Sequence, residues 1–326
     1  VVSTLDNPAL EYTPHHLAEF VIGDSLEKLA PLVKEAEALL LVPPGPPALL
    51  GELWRGGHLP ACKWVHCFFA GVDSLRDFMQ AELAPSGVPL SNGRGAFSSS
   101  LAEYAIHAAL HFTKQVPRCI QNRENRLWDK FRMGVLRGKT MGLLGYGDIA
   151  KSCAVLAKTF GMRVICLRRN ASKADEVNVD LVLGPYEGPI QRAHKTALLE
   201  DCDVVVSTLP GTPETYHFMS DDEFATMRQG SIFISLGRGS VVDEEALVRA
   251  LGAGRIAGAA LDVFEQEPLP PDSPLWDCGA KLLLTAHNAD YTTDYFELGW
   301  GVWQKNLVAH LKGEPLVTPV NIKAGY

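Results

Sequence analysis

Long apolar runs, basic runs and closely spaced cysteines are all missing from this chain, and each absence removes a class of protein. No stretch is apolar for long enough to cross a bilayer as a helix, and no signal peptide is visible. There is no basic run, and the net charge is −8, which argues against nucleic acid as a partner. The seven cysteines (Cys62, Cys67, Cys119, Cys153, Cys166, Cys202, Cys278) are scattered, without metal-ligand spacing. They read as small core residues in a reducing compartment rather than as a disulfide framework. The expected location is the cytoplasm, or an organelle if a leader once preceded Val1. What is present is ordinary globular composition, 47% hydrophobic and 21% charged, in 326 residues, a length that suits two domains.

The most informative stretch is 141–170. Met141–Leu144 is a short apolar run, followed by Gly145-Tyr146-Gly147. Ile149, Cys153, Leu156, Ala157 and Phe160 then share one helical face, Gly161 stops the helix, and Val164–Leu167 is a second apolar run. Strand, glycine turn, helix and strand in that order predict a dinucleotide site. The turn lets backbone N–H groups approach a pyrophosphate, whose charge the helix dipole favours. The pattern is Gly-x-Gly-x-x-Ala, with Ala150 where a third glycine is usual. The N–H of Asp148 is expected to face the ligand while its side chain points to water.

An NAD site usually carries an acid at the end of the second strand, to bond the ribose 2′-hydroxyl. No acid stands between Cys166 and Asn170; Arg168 and Arg169 do. Guanidinium groups suit a 2′-phosphate, so NADP is favoured over NAD.

Short strands and helices alternate over residues 1–103. Predicted strands are Leu39–Val42, Lys63–Phe69 and Val88–Asn92, and the second ends in Ala70-Gly71-Val72-Asp73. Ser99–Lys114 reads as a long helix joining two domains. It carries His107 and His111 one turn apart, taken as surface or interface residues for want of a third ligand. The polar stretch 121–132 reads as a solvated linker. Further strands are expected at Asp203–Thr208, Ser231–Leu236, Ala257–Leu261 and Leu282–Thr285. Between them, Ser220 with Glu223 makes a capping box, and Asp243-Glu244-Glu245 starts a helix. Such alternation implies parallel sheets covered on both faces.

Three successive strand ends deliver Arg238, Glu267 and His287. In open parallel sheets ligands bind beyond the carboxyl ends of strands, so these residues are placed to meet near a cofactor. An arginine clamps a carboxylate and polarises an adjacent carbonyl; a histidine moves the proton that accompanies hydride transfer; a paired glutamate favours the charged imidazole. Together they form a device for reducing a 2-oxo acid.

At these residues the chain resembles the D-2-hydroxyacid dehydrogenase family, which includes glyoxylate/hydroxypyruvate reductases, D-lactate dehydrogenases and phosphoglycerate dehydrogenases. The matching segments are GLLGYGDIA (142–150), TLPGTPET (208–215), ISLGRGSVVDEEAL (234–247), LDVFEQEP (261–268) and TAH (285–287), with AGVD (70–73), SLAEYA (100–105) and the tail. The resemblance implies an α/β fold of two doubly wound parallel-sheet domains, Rossmann-like and flavodoxin-like, with an active-site cleft between them. The substrate domain would be discontinuous, 1–103 with 291–326, and the dinucleotide domain would span 104–290.

The resemblance also implies roles. Arg238 matches the substrate-clamping arginine, His287 the catalytic histidine and Glu267 its acid partner. Ala70, Gly71 and Val72 match the loop that binds substrate carboxylate. Gly145, Gly147, Asp148, Ile149, Arg168, Arg169, Leu209, Pro210, Thr215, Leu236, Gly237 and Asp262 match cofactor-binding positions, with Asp262 near the nicotinamide carboxamide. Phe68, Phe69 and Arg94 are expected to flank the pocket. The implied reaction is hydride transfer between NADP or NAD and a small 2-oxo acid, glyoxylate or hydroxypyruvate first, in a homodimer.

Several positions depart from the family pattern. Ala286 replaces the proline before the histidine, Asn288-Ala289-Asp290 a more apolar sequence after it, and Ser235-Leu236-Gly237 the common Asn-x-Ala. Asp290 is expected in a polar loop crossing between domains. Glu267 disfavours formate oxidation, where the family carries Gln, and the lack of a regulatory extension after Tyr326 disfavours phosphoglycerate oxidation. The alternative is a cofactor-sensing binding protein, like the corepressors that share this fold.

Overall fold

Alternate residues of the early strands divide between two apolar cores, as a period of two requires. In the computed structural model, which describes residues 1–170, 177–185 and 191–325, β1 (Ala38–Leu41) sends Leu39 and Leu41 into one core and Leu40 into the other. β2 (Trp64–Cys67) does the same with Val65 and Cys67 against Trp64. The chain forms two units, Val1–Phe97 with Thr293–Tyr326, and Ser98–Thr292.

In the first unit β1, β2 and β3 (Leu90–Asn92) are parallel and adjacent in that order. Single bridges from Val2 to Leu41 and to Gly23 continue the sheet past β1. The resulting order matches the flavodoxin-like doubly wound arrangement. The helix Tyr295–Leu311 covers one face with Trp300, Trp303 and Leu307. Gly299 on that helix admits the Phe68 ring, since a Cβ there would lie 2.3 Å from it. Phe68 is consequently a fully buried core residue rather than a pocket wall. Phe69 packs partly buried against the opposite core, and Arg94 is exposed.

The second unit contains β4 (Thr140–Leu144), β5 (Arg163–Leu167), β6 (Leu181–Leu183), β7 (Val204–Ser207), β8 (Ile232–Ser235), β9 (Gly258–Leu261) and β10 (Leu282–Leu284). All are parallel, in the order β10-β9-β8-β7-β4-β5-β6. The winding reverses between β4 and β7, the crevice where such sheets take their ligands. β4, β7, β8 and β9 are buried along their whole length, the mark of strands covered on both faces. The helix Ser98–Thr113 lies whole in this unit, so the unit boundary falls at 97/98 rather than within the helix. Gly258 makes room for it, because a Cβ there would stand 2.4 Å from the Phe112 ring.

Two local expectations fail. The stretch 121–132 is not all linker: Val116–Glu124 is helical, with Pro117 in its first turn where a missing N–H costs nothing. Trp128, after that helix, is 97% exposed. Phe160 does not join the apolar face of the helix Asp148–Thr159; as the residue that ends the helix it is exposed, and Gly161 follows at φ +70°.

Candidate active site

The turn after β4 has the geometry that a phosphate needs. Gly145 sits at φ +85°, where glycine alone is unstrained, and its N–H donates to Leu167 O at 2.9 Å, tying the turn to the end of β5. Gly147 caps the helix Asp148–Thr159 and gives its N-terminus no side-chain acceptor. A Cβ built on Gly147 meets no atom within 4 Å, so the space on that side of the helix start is open. An uncapped helix start facing open space fits a pyrophosphate. Ile149 and Asp148 are both half-buried.

Arg168, just past β5, lays its guanidinium over the Tyr146 ring of the same turn, 5.5 Å from the centroid. Arg169 beside it is exposed. Across the switch point, Leu209 is buried and Pro210 half-buried. Thr215 differs from its expected role as a cofactor contact. It is fully buried, its hydroxyl donates to Pro210 O at 2.5 Å and accepts from Thr212 N–H at 3.0 Å, so it acts on the 210–215 loop.

The loops after β7, β8 and β9 are packed backbone to backbone. A Cβ on Gly237 would stand 2.3 Å from Leu209 O, and one on Gly239 only 1.8 Å from the Phe264 carbonyl carbon. Arg238 therefore sits between two glycines that press its loop against the β7 and β9 loops, with Leu236 buried behind it. One guanidinium nitrogen donates to Gly237 O at 2.8 Å. Glu267 accepts the Phe264 N–H at 2.9 Å with one carboxylate oxygen and meets His287 Nδ1 at 2.6 Å with the other. A carboxylate only accepts, so Nδ1 carries hydrogen and Nε2 is left to face a reactant.

His287 lies at φ +50°, a conformation that costs an L-residue about 1 kcal/mol. What holds it is Asp262, only 1% exposed, whose carboxylate accepts from the Thr285 hydroxyl at 2.6 Å, Asn288 N–H at 3.0 Å and Ala289 N–H at 3.2 Å. Asp290 is half-buried in the loop after β10. Burial raises its pKa, the positive fields of His287 and Arg238 oppose that rise, and Asp262 adds to it. Arg238 follows β8 and His287 follows β10, so both lie beyond the carboxyl ends of one parallel sheet.

The family profile described as "D-isomer specific 2-hydroxyacid dehydrogenase, NAD binding domain" matches residues 106–289. This chain belongs to the D-isomer specific 2-hydroxyacid dehydrogenase family. It is 33% identical to a glyoxylate reductase of Thermofilum pendens over 78% of this chain and 74% of that one. A crystal structure of a family protein from Aeromonas salmonicida superposes with a TM-score of 0.77 at 30% identity, covering 96% and 93% of the two chains. A D-isomer specific 2-hydroxyacid dehydrogenase from Xanthobacter autotrophicus in complex with NADPH and MES gives 0.74 at 28%, covering 90% and 86%.

Two features of this family member escape a reading of its sequence. His217 Nε2 bonds the Glu265 carboxylate, while Glu265 N–H donates to Glu244 at 2.8 Å. A second His–Glu pair thus stands two residues from Glu267, and its only signal is the repeated acid in Phe264-Glu265-Gln266-Glu267. Burial raises the Glu244 pKa, and the negative charges of Glu265 and Glu267 add to it. Tyr104, on the helix Ser98–Thr113, bonds Thr285 Oγ1 at 2.8 Å across 181 residues of sequence. It borders a cavity of about 490 Å³ with Thr285, Asn288 and Ala289.

In the first unit, Ala70-Gly71-Val72 forms the turn after β2. Val72 is buried in the core, Gly71 half-buried and Ala70 exposed. Asn92 holds the turn by donating to Ala70 O at 2.5 Å. Gly93 closes in behind it, its N–H on Phe69 O at 3.0 Å.

Proposed function

We propose that this family member reduces small 2-oxo acids, glyoxylate and hydroxypyruvate foremost, with NADPH as donor. The observation that carries the reading is the Glu267–His287 bond on Nδ1, beside an arginine loop pressed onto the same strand ends. A bound nicotinamide supplies the hydride. Arg238 binds the substrate carboxylate and draws electron density from the adjacent carbonyl. His287 gives the proton on Nε2 to the carbonyl oxygen as the carbon is reduced, and Glu267 holds the ring and offsets the charge it carries. Asp262, besides anchoring the histidine loop, is the acid assigned to the carboxamide.

NADP is preferred because Arg168 is held over the glycine turn at the end of β5, with Arg169 next to it and no acid in the sequence between Cys166 and Asn170. The family member from Xanthobacter autotrophicus binds NADPH. The working form in this proposal is a homodimer, since Trp128, Leu127 and Ile120 are all exposed along and after the helix Val116–Glu124.

Initial rates with NADPH and NADH against glyoxylate, hydroxypyruvate and pyruvate test the reading. It predicts turnover of at least one acid, with NADPH the better donor. Tight NADPH binding without turnover of any acid would favour the sensor reading instead.

A further inference from the structure

The histidine loop is fixed at both ends by one buried group. Thr285 and Asn288, on either side of Ala286-His287, both donate to Asp262 Oδ1, at 2.6 and 3.0 Å. His287 takes a positive φ between those anchors. The Thr285 hydroxyl has one proton, and Asp262 takes it. The Tyr104 contact on Thr285 Oγ1 at 2.8 Å must then be an O–H donated by tyrosine. Burial pushes the Tyr104 phenol up to about 12, so it remains a donor at any working pH. The result is a directed chain, Tyr104 O–H to Thr285 O–H to the Asp262 carboxylate. It joins the helix Ser98–Thr113 to the loop that carries His287.

We propose that Tyr104 is a positioning residue for the reaction: through Thr285 it fixes which way the Asp262 anchor faces, and so sets His287 against Glu267. Ala286 allows the loop a freedom that a proline would remove, and the hydrogen-bond chain supplies the missing stiffness. This rests on the reading of His287 as proton donor.

Tyr104→Phe removes the hydroxyl and keeps the ring. With the 2-oxo acid that the chain turns over best, kcat should fall about tenfold while KM and the NADPH Kd stay within about twofold. Thr285→Val cuts the same chain. The double variant should then lose no more than Thr285→Val alone, because both changes break one connection. Thr285→Ser keeps the hydroxyl and should keep the rate. An unchanged kcat in Tyr104→Phe overturns the proposal, and so do additive losses in the double variant. A rise in KM and Kd matching the fall in kcat, the mark of general loosening, overturns it too. His287→Ala run alongside separates the two readings: if that variant keeps full activity, the active-site assignment fails rather than the tyrosine connection.

Discussion

The role proposed for His287 needs one ring nitrogen committed and the other facing the reactant, and Glu267 makes that commitment through Nδ1. Glu267→Gln keeps the shape of the contact and removes its charge. Steady-state rates should show kcat lowered about a hundredfold with little change in NADPH binding. A second histidine makes a separate prediction. His66, on β2, is buried, with Nδ1 on the Ser91 hydroxyl at 2.7 Å, and burial pushes its pKa from 6.5 down to about 3. Its folded value lies below its unfolded one, so unfolding takes up a proton between pH 6.5 and 3. The contribution of this group to stability is therefore complete above pH 6.5 and declines as the pH falls toward 3. The loss is about 2 kcal/mol at pH 5 relative to pH 7. Urea unfolding at both pH values should show His66→Gln losing about that much less than the parent.

Two glycines at strand ends separate binding from folding. Gly147 has open space around its missing Cβ and an ordinary φ of −90°. Gly147→Ala should leave the melting temperature unchanged yet raise the NADPH Kd at least about tenfold, by obstructing the N–H groups of the helix start. Gly239 is the opposite case, since its Cβ would overlap the Phe264 carbonyl carbon at 1.8 Å. Gly239→Ala should lower the melting temperature by several degrees and abolish activity, by driving the Arg238 loop from the Glu267 loop. At this scale the sequence was most legible. The apolar run, Gly145, the helix and Gly161 each follow a local rule, and the predicted strands lie within a few residues of the observed ones. Ser220 N–H does donate to the Glu223 carboxylate, at 3.1 Å. What stayed hidden was long-range. No local pattern says that Phe68 fills the notch over Gly299, that the Thr215 hydroxyl turns inward, or that Tyr104 reaches Thr285, because each depends on a partner from another part of the chain. The Arg–Glu–His set was legible as an order of strand ends, and Glu267 as the partner of His287; that the contact falls on Nδ1 needed coordinates.

At the scale of the whole molecule, Trp128 and Leu127 are neighbouring large apolar side chains left exposed to water. The homodimer proposal expects Trp128→Ala with Leu127→Ala to shift the mass by light scattering from dimer toward monomer, while each polypeptide keeps its far-ultraviolet spectrum. A parent already monomeric at micromolar concentration would remove that proposal and leave the chemistry untouched. Among the described residues no helix is long and apolar enough to span a membrane, and no group of three or more His, Cys, Asp or Glu side chains is placed to hold a metal. The chemistry proposed for this family member rests on side chains at the ends of β8, β9 and β10 acting with a dinucleotide at the glycine turn. Single-turnover reduction of glyoxylate by NADPH, in the parent and in His287→Asn, tests that most directly. The account predicts rapid NADPH loss in the parent and at least about a hundredfold slower loss in a variant that still binds NADPH. Equal rates in the two proteins would contradict it.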